Sequence, residues 1–242
     1  VEPETHFALG GADFDADVDG EKIDNWRCLK ADAGSVLKFR GPVKGNRCYL
    51  AVAGGLSFDR PLGSPSVQLK GDERIGILGE TGRTSIGGDI RVSNSLIPIY
   101  SRFPTVRVID GPEAYLLTDG SRRHLFDEQF TVLPASNRMG FRLNGEPLSH
   151  SEPFEMVSSA VSFGTIQLLP DGQVIVLMAD HQTTGGYPRI ANVASVDLPL
   201  VAQLGAGDKV SFHRITIGEA EELAMRFERD LALLKLGVRL KT

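Results

Sequence analysis

The stretch that decides the fold reads Thr165-Ile166-Gln167-Leu168-Leu169, then Pro170-Asp171-Gly172-Gln173, then Val174-Ile175-Val176-Leu177-Met178. Two β-rich runs flank a turn sequence in which Pro fixes φ and Gly accepts positive φ, so an antiparallel hairpin is expected. Outward from it, Ser35–Phe39, Arg47–Val52, Thr105–Ile109, Gln129–Leu133 and Lys209–Ile215 repeat the pattern between Gly, Pro, Asn and Asp punctuation. Short strands so spaced read as a mainly β protein built as a barrel or sandwich. Helices are few. Ser121 is a good N-cap for a short helix to about Phe126. Thr216-Ile217-Gly218-Glu219 has capping-box spacing before an apolar stripe of Ala220, Leu223, Ala224, Phe227, Leu231 and Leu234, with Gly237 placed to end the helix. That stripe docks either on the chain's own barrel or on a partner protein.

The weakest patterning lies between Pro98 and Pro104, which divides the chain into lobes 1–104 and 105–242. With 242 residues, 41% of them hydrophobic and 24% charged, there is enough apolar material for a real core and no signature of disorder. A formal charge of -5 repels phosphate backbones and anionic lipid, so neither nucleic acid nor membrane is expected as a partner. No apolar run approaches the roughly 20 residues of a spanning helix. Cys28 and Cys48 lack CxxC spacing and are too few for a disulfide framework. They read as small buried hydrophobes in a reducing, cytoplasmic setting. The chain opens Val-Glu-Pro-Glu without Met or a signal pattern, which suggests that something upstream was removed.

Several motifs fail on inspection. Asp15-Ala16-Asp17-Val18-Asp19-Gly20 imitates a calcium loop, but its twelfth position is Trp26 and not Glu. The alternation of Phe14, Ala16 and Val18 instead describes a half-buried strand entering an Asp-Gly turn. Gly79, Gly82, Gly87 and Gly88 match neither the dinucleotide fingerprint nor the P-loop and read as turns. No Gly-x-Ser-x-Gly elbow occurs, and His6, His124, His150, His181 and His213 have no clustered ligand spacing, so no metal is expected.

The informative segment is Asp180-His181-Gln182-Thr183-Thr184-Gly185-Gly186-Tyr187-Pro188-Arg189, delivered directly by the second run of the hairpin. Gln182 donates and accepts, Thr183 and Thr184 bring hydroxyls, Tyr187 a phenol and Arg189 a cationic fork. Gly185 and Gly186 let backbone N–H groups approach a ligand closely. The set suits an amide-like or anionic small molecule, although an elaborate turn has the same composition.

The run from Gly164 through QTTGGYPR, then Asp197-Leu198-Pro199-Leu200 and Gly207-Asp208-Lys209-Val210, resembles the signature stretch of the allophanate-hydrolase-subunit-2 family. Tyr49–Gly55, Leu62-Gly63-Ser64, Arg107–Pro112 and Ser136–Leu143 agree with it in order. The resemblance implies two cyclophilin-like β-barrel lobes, the first incomplete because the family's Asp-Leu-Gly-Arg-like opening motif has no match here. It also implies a subunit-1-like (B) partner that shares the cleft. In one family system B and C subunits work with an A subunit to open the lactam of 5-oxoproline at the expense of ATP. In the other a carboxyltransferase half moves a carboxyl group to urea from biotin carried on another chain. A third kind of member is a regulator that antagonises a kinase-inhibitor-type partner. By resemblance and residue chemistry, Asp180 and Tyr187 are the catalytic candidates, while Arg138, Gln182, Thr183, Thr184, Gly185, Gly186 and Arg189 are the substrate-binding ones. Ser64-Pro65-Ser66 departs from the family, in which an Arg commonly follows the first Ser.

Overall fold

The computed structural model describes residues 4–58, 68–78, 90–152 and 156–240. The family blocks at Leu62-Gly63-Ser64 and Ser64-Pro65-Ser66 and the glycines 79, 82, 87 and 88 lie outside these residues. Two units are distinguished, one of Val1–Ile97 with Ala232–Thr242 and one of Pro98–Leu231.

In the first unit the strands are β1 (Thr5–Asp13), β2 (Ala16–Val18), β3 (Glu21–Lys22), β4 (Cys28–Ala31), β5 (Leu37–Phe39), β6 (Lys44–Val52), β7 (Leu56–Ser57) and β8 (Gly76–Ile77). They form antiparallel sheets in the orders β4-β1-β6, β3-β2-β5 and β7-β8. Phe7 and Leu9 of β1 alternate onto a small core with Ala16 and Ala31, as the period of two requires. The expected strand into the Asp19-Gly20 turn is present, and Asp17 within it is only 3% exposed. Its carboxylate accepts the Gly20 N–H at 2.9 Å and the Arg40 Nε–H at 3.1 Å, so the buried charge is paired. Cys28 and Cys48 are half-buried free thiols, and burial pushes both up from the usual thiol range.

The second unit carries β9 (Thr105–Asp110), β10 (Phe130–Val132), β11 (Gly140–Asn144), β12 (Ser159–Ala160), β13 (Thr165–Leu168), β14 (Val174–Leu177), β15 (Thr184–Gly185), β16 (Arg189–Val193) and β17 (Lys209–Arg214). Seven of them close a barrel in the order β10-β11-β14-β13-β16-β9-β17. The architecture is therefore mainly β and barrel-bearing, as the sequence predicts. The deciding hairpin pairs Ile166 with Val176 and Leu168 with Val174. Its turn is closed by the Leu169 N–H on Gln173 O and the Gly172 N–H on Leu169 O, with Gly172 at φ +82°. Val106, Val108, Phe130, Val132, Phe141, Leu143, Ile166, Leu168, Val174, Val176, Ile190, Val210 and Phe212 belong to one buried cluster. Burying each such side chain is worth about 1.5–3 kcal/mol, which makes this cluster the main source of the unit's stability.

The helices are α1 (Asp119–Asp127), α2 (Leu198–Ala202) and α3 (Ile217–Arg239). The N-cap of α1 is Thr118 and not Ser121: the Thr118 hydroxyl accepts the Ser121 N–H at 3.1 Å. Ser121 is instead buried inside the first turn, where its hydroxyl takes the Ser149 N–H at 2.7 Å. The capping box of α3 forms as expected, with the Glu219 N–H on the Thr216 hydroxyl at 3.2 Å and the Thr216 N–H on the Glu219 carboxylate at 2.7 Å. Gly237 does not stop this helix, which continues to Arg239. The α3 stripe is half-buried except for Phe227, which is exposed, and no α3 residue is fully buried. Among the described residues no helix is long and apolar enough to cross a membrane.

Candidate functional site: the loop between β14 and β16

β14 is buried along most of its length, and the chain leaving it runs through Asp180 to Tyr187 before re-entering the barrel as β16. Because β16 is antiparallel to β9, with Ala191 opposite Asp110, this loop stands at the C-terminal end of β9. Three blocks far apart in sequence meet there.

The first is Ser136–Leu143. The Asp180 N–H donates to Arg138 O at 2.8 Å and the Met178 N–H to Met139 O at 3.0 Å. The Arg138 guanidinium then closes a fork on the Asp180 carboxylate, Nε at 2.8 Å and Nη2 at 2.9 Å. Both side chains are exposed, so the pair orients the two groups more than it stabilises the fold.

The second block is Asp110-Gly111-Pro112-Glu113. The Gly111 N–H donates to Ile190 O and the Glu113 N–H to Arg189 O. A Cβ on Gly111 would lie 2.1 Å from the Arg189 carbonyl oxygen, so only glycine lets the two chains cross here. The Glu113 carboxylate accepts from the Arg189 backbone N–H at 2.9 Å, Nε at 2.8 Å and Nη2 at 2.7 Å. Hydrogen bonds from the Arg189 side chain, outweighing burial, hold the Glu113 carboxyl below the usual glutamate range and raise Arg189 in turn. Arg189 Nη1 donates to Ala160 O at 2.9 Å. The sequence expects this guanidinium on a substrate; in the structure its fork is occupied by Glu113 and Ala160.

The third block is β13 itself. Gln167 is only 1% exposed, and its Nε2 donates to the Tyr187 carbonyl at 3.1 Å. Gly185 packs against this amide, and β12 pairs with β15 through Ser159↔Gly185 and Ala160↔Thr184. Neither Gln167 nor Glu113 is among the site residues that the sequence suggests. The available signal is a polar residue between Ile166 and Leu168 in a strand too apolar to face water, which obliges it to find a buried partner.

The outer limb of the loop is different. Gln182, Thr183, Thr184, Gly186 and Tyr187 are exposed, Tyr187 at 43%. The side chains of Gln182, Thr183, Thr184 and Tyr187 make no hydrogen bond among the described residues. Gly185 is buried beneath them. The loop thus has a pinned inner limb, Tyr187–Arg189 by backbone and guanidinium, and an outer tip of unspent donors and acceptors. A hollow of about 480 Å³ lined by Arg102, Phe103, Gln129, Gly207, Asp208 and Lys209 lies at the start of β9 and β17, the opposite end of the barrel. It does not adjoin this loop. Among the described residues no group of three or more His, Cys, Asp or Glu is placed to hold a metal ion.

The fold is a mostly antiparallel closed barrel carrying, at one end, a polar loop pinned by three separated segments. The family model for the carboxyltransferase domain, subdomains A and B, matches residues 1–214, and the chain belongs to that family. It is similar to the C subunit of 5-oxoprolinase from Haemophilus influenzae, 33% identical over 232 residues that cover 92% of this chain and 74% of the relative. It is also similar to the C subunit of 5-oxoprolinase from Escherichia coli, 35% identical over 88% of this chain and 71% of the relative. A putative urea carboxylase of Emericella nidulans is 27% identical over 93% of this chain but only 20% of its own length. The crystal structure of Kluyveromyces lactis urea carboxylase superposes with a TM-score of 0.85 at 22% identity, over 98% of this chain and 24% of that one. This chain therefore spans under a quarter of the solved structure whose fold it shares.

Proposed function

We propose that this chain is the C-type half of an ATP-dependent 5-oxoprolinase, and that the Asp180–Arg189 loop forms its wall of a cleft completed by a subunit-1-like (B) partner. The observation that carries this reading is the split character of the loop. Its inner limb is fixed by buried polar contacts while Gln182, Thr183, Thr184 and Tyr187 present outward groups that no described residue pairs. A lactam amide is unreactive, and its opening needs donors already aimed at the carbonyl oxygen on which charge develops. In this reading Tyr187 O–H donates to that oxygen, aided by the Gly185-Gly186 backbone and the Gln182 amide. Asp180, oriented by the fork of Arg138, accepts the proton of the attacking water. Water adds to the carbonyl carbon, the ring C–N bond breaks as the nitrogen takes the proton that Asp180 accepted, and the product is glutamate. ATP use belongs to the assembly with the A subunit, and no step of this chain's chemistry is routed through it. Because the loop tip is exposed surface, the second wall that excludes water comes from the partner, and the isolated chain is inactive.

The supporting comparison is the similarity to the C subunits of two 5-oxoprolinases over most of both chains. Similarity to the putative urea carboxylase keeps a second reading in view, a carboxyltransferase half acting with biotin borne on another chain. Reconstitution decides between them. The chain mixed with A- and B-type subunits should convert 5-oxoproline to glutamate with ATP hydrolysis, and leaving the chain out should abolish it. Consumption of carboxybiotin with urea, without lactam opening, would establish the second reading instead.

A further inference from the structure

We propose that Glu113 and Gln167 are positioning residues that hold the Tyr187–Arg189 limb in one pose, so that Tyr187 and the tip at Gln182–Gly186 meet their ligand already ordered. The proposal rests on the loop's being ligand-binding. Ile166 and Leu168 belong to the barrel core, so strand alternation puts Gln167 on the barrel's outer face. It is nevertheless buried, because the loop lies over it: a Cβ on Gly185 would come within 2.5 Å of its Nε2. A buried amide donor is tolerated only when bonded, and the Tyr187 carbonyl is its partner, at 3.1 Å. Two residues on, the Glu113 carboxylate takes both the backbone N–H and the guanidinium fork of Arg189. The Leu168 N–H on Pro188 O, at 3.0 Å, ties down the residue between. Three consecutive loop residues are thus held from beneath, and Gln167 also packs under Gly185, while the exposed side chains of Gln182, Thr183, Thr184 and Tyr187 are left unengaged.

Purely structural residues would give the same contacts, so the test needs a readout that stability alone does not move. Amide hydrogen exchange is measured on the full chain for the wild type, Gln167→Leu, Glu113→Gln and a control, Asp197→Asn. Asp197 is also a buried carboxylate bound to an arginine, Arg107, but it lies beyond the far end of β16. The same variants are then assayed for 5-oxoproline opening in the reconstituted complex. The expected result is faster exchange across Gln182–Tyr187 in both test variants with the β14 amides unchanged. Their kcat falls by roughly 100-fold, as misplacement of a reacting group produces. Asp197→Asn lowers Tm but leaves loop exchange at the wild-type level. Unchanged loop exchange in both test variants, whatever happens to Tm, overturns the proposal. Should Gln167→Leu not fold, Glu113→Gln decides alone, since it keeps the side chain's shape. If the wild-type complex does not open 5-oxoproline, the functional reading fails while the exchange result still decides the positioning.

Discussion

At the scale of single residues, the loop separates groups held by internal contacts from exposed groups that no described residue pairs. The Tyr187 hydroxyl has no partner among the described residues, so Tyr187→Phe should lower turnover of the complex by about 100-fold, the cost of one lost donor to developing charge, while association with the partner is unchanged in a pull-down. Glu113 is the opposite case. Truncation in Glu113→Ala strands the Arg189 cation and should cost about 3 kcal/mol of folding stability by urea denaturation. Its folded carboxyl lies below the usual glutamate range, so this contribution is complete above that range and is lost as pH falls through the lowered value. The Tm gap between wild type and Glu113→Gln should therefore hold from neutral pH down to the ordinary glutamate range and narrow only below it. At Gly111 an added methyl meets backbone and not a movable side chain, so Gly111→Ala should destabilise by about 3 kcal/mol and disturb Arg189.

At the scale of elements, the capping box of α3 joins Thr216 and Glu219 by reciprocal hydrogen bonds. Thr216→Ala should cost about 1 kcal/mol locally, read as faster amide exchange in the first turn of α3 with the barrel unaffected. The legibility of the elements follows from what each uses to form. The β13–β14 hairpin, the capping box and β17 announce themselves through turn chemistry, cap spacing and β-branched runs, all local signals. β1 does not, because Gly10 and Gly11 interrupt its pattern; Gly11, at φ +76°, accompanies a shift of register opposite β6. Arg189 begins β16, and the sequence, with an arginine behind two glycines, reads there as part of a ligand loop. What redirects it is Glu113, 76 residues away, a partner that no local pattern contains. The cap of α1 is ambiguous for a similar reason: Thr118 and Ser121 are both competent caps, and the bond from the Ser149 N–H draws Ser121 inward.

At the scale of the whole molecule, the resemblance that points to paired barrels is answered by one closed barrel of seven strands in the second unit and a set of small sheets in the first. The three blocks that converge on the loop each carry or adjoin a separate stretch on which the family resemblance rests. The barrel also has one parallel seam, β17 on β9, with Ser211 opposite Thr105. Every other barrel pairing is antiparallel. This seam joins residues about a hundred positions apart, and long-separation pairing is intrinsically slow. During synthesis on a ribosome, β9 emerges early and waits with an unfilled flank until the stretch ending at Arg214 has cleared the exit tunnel. The nascent protein is therefore most exposed to sticking and chaperone capture in the interval just before that last strand arrives.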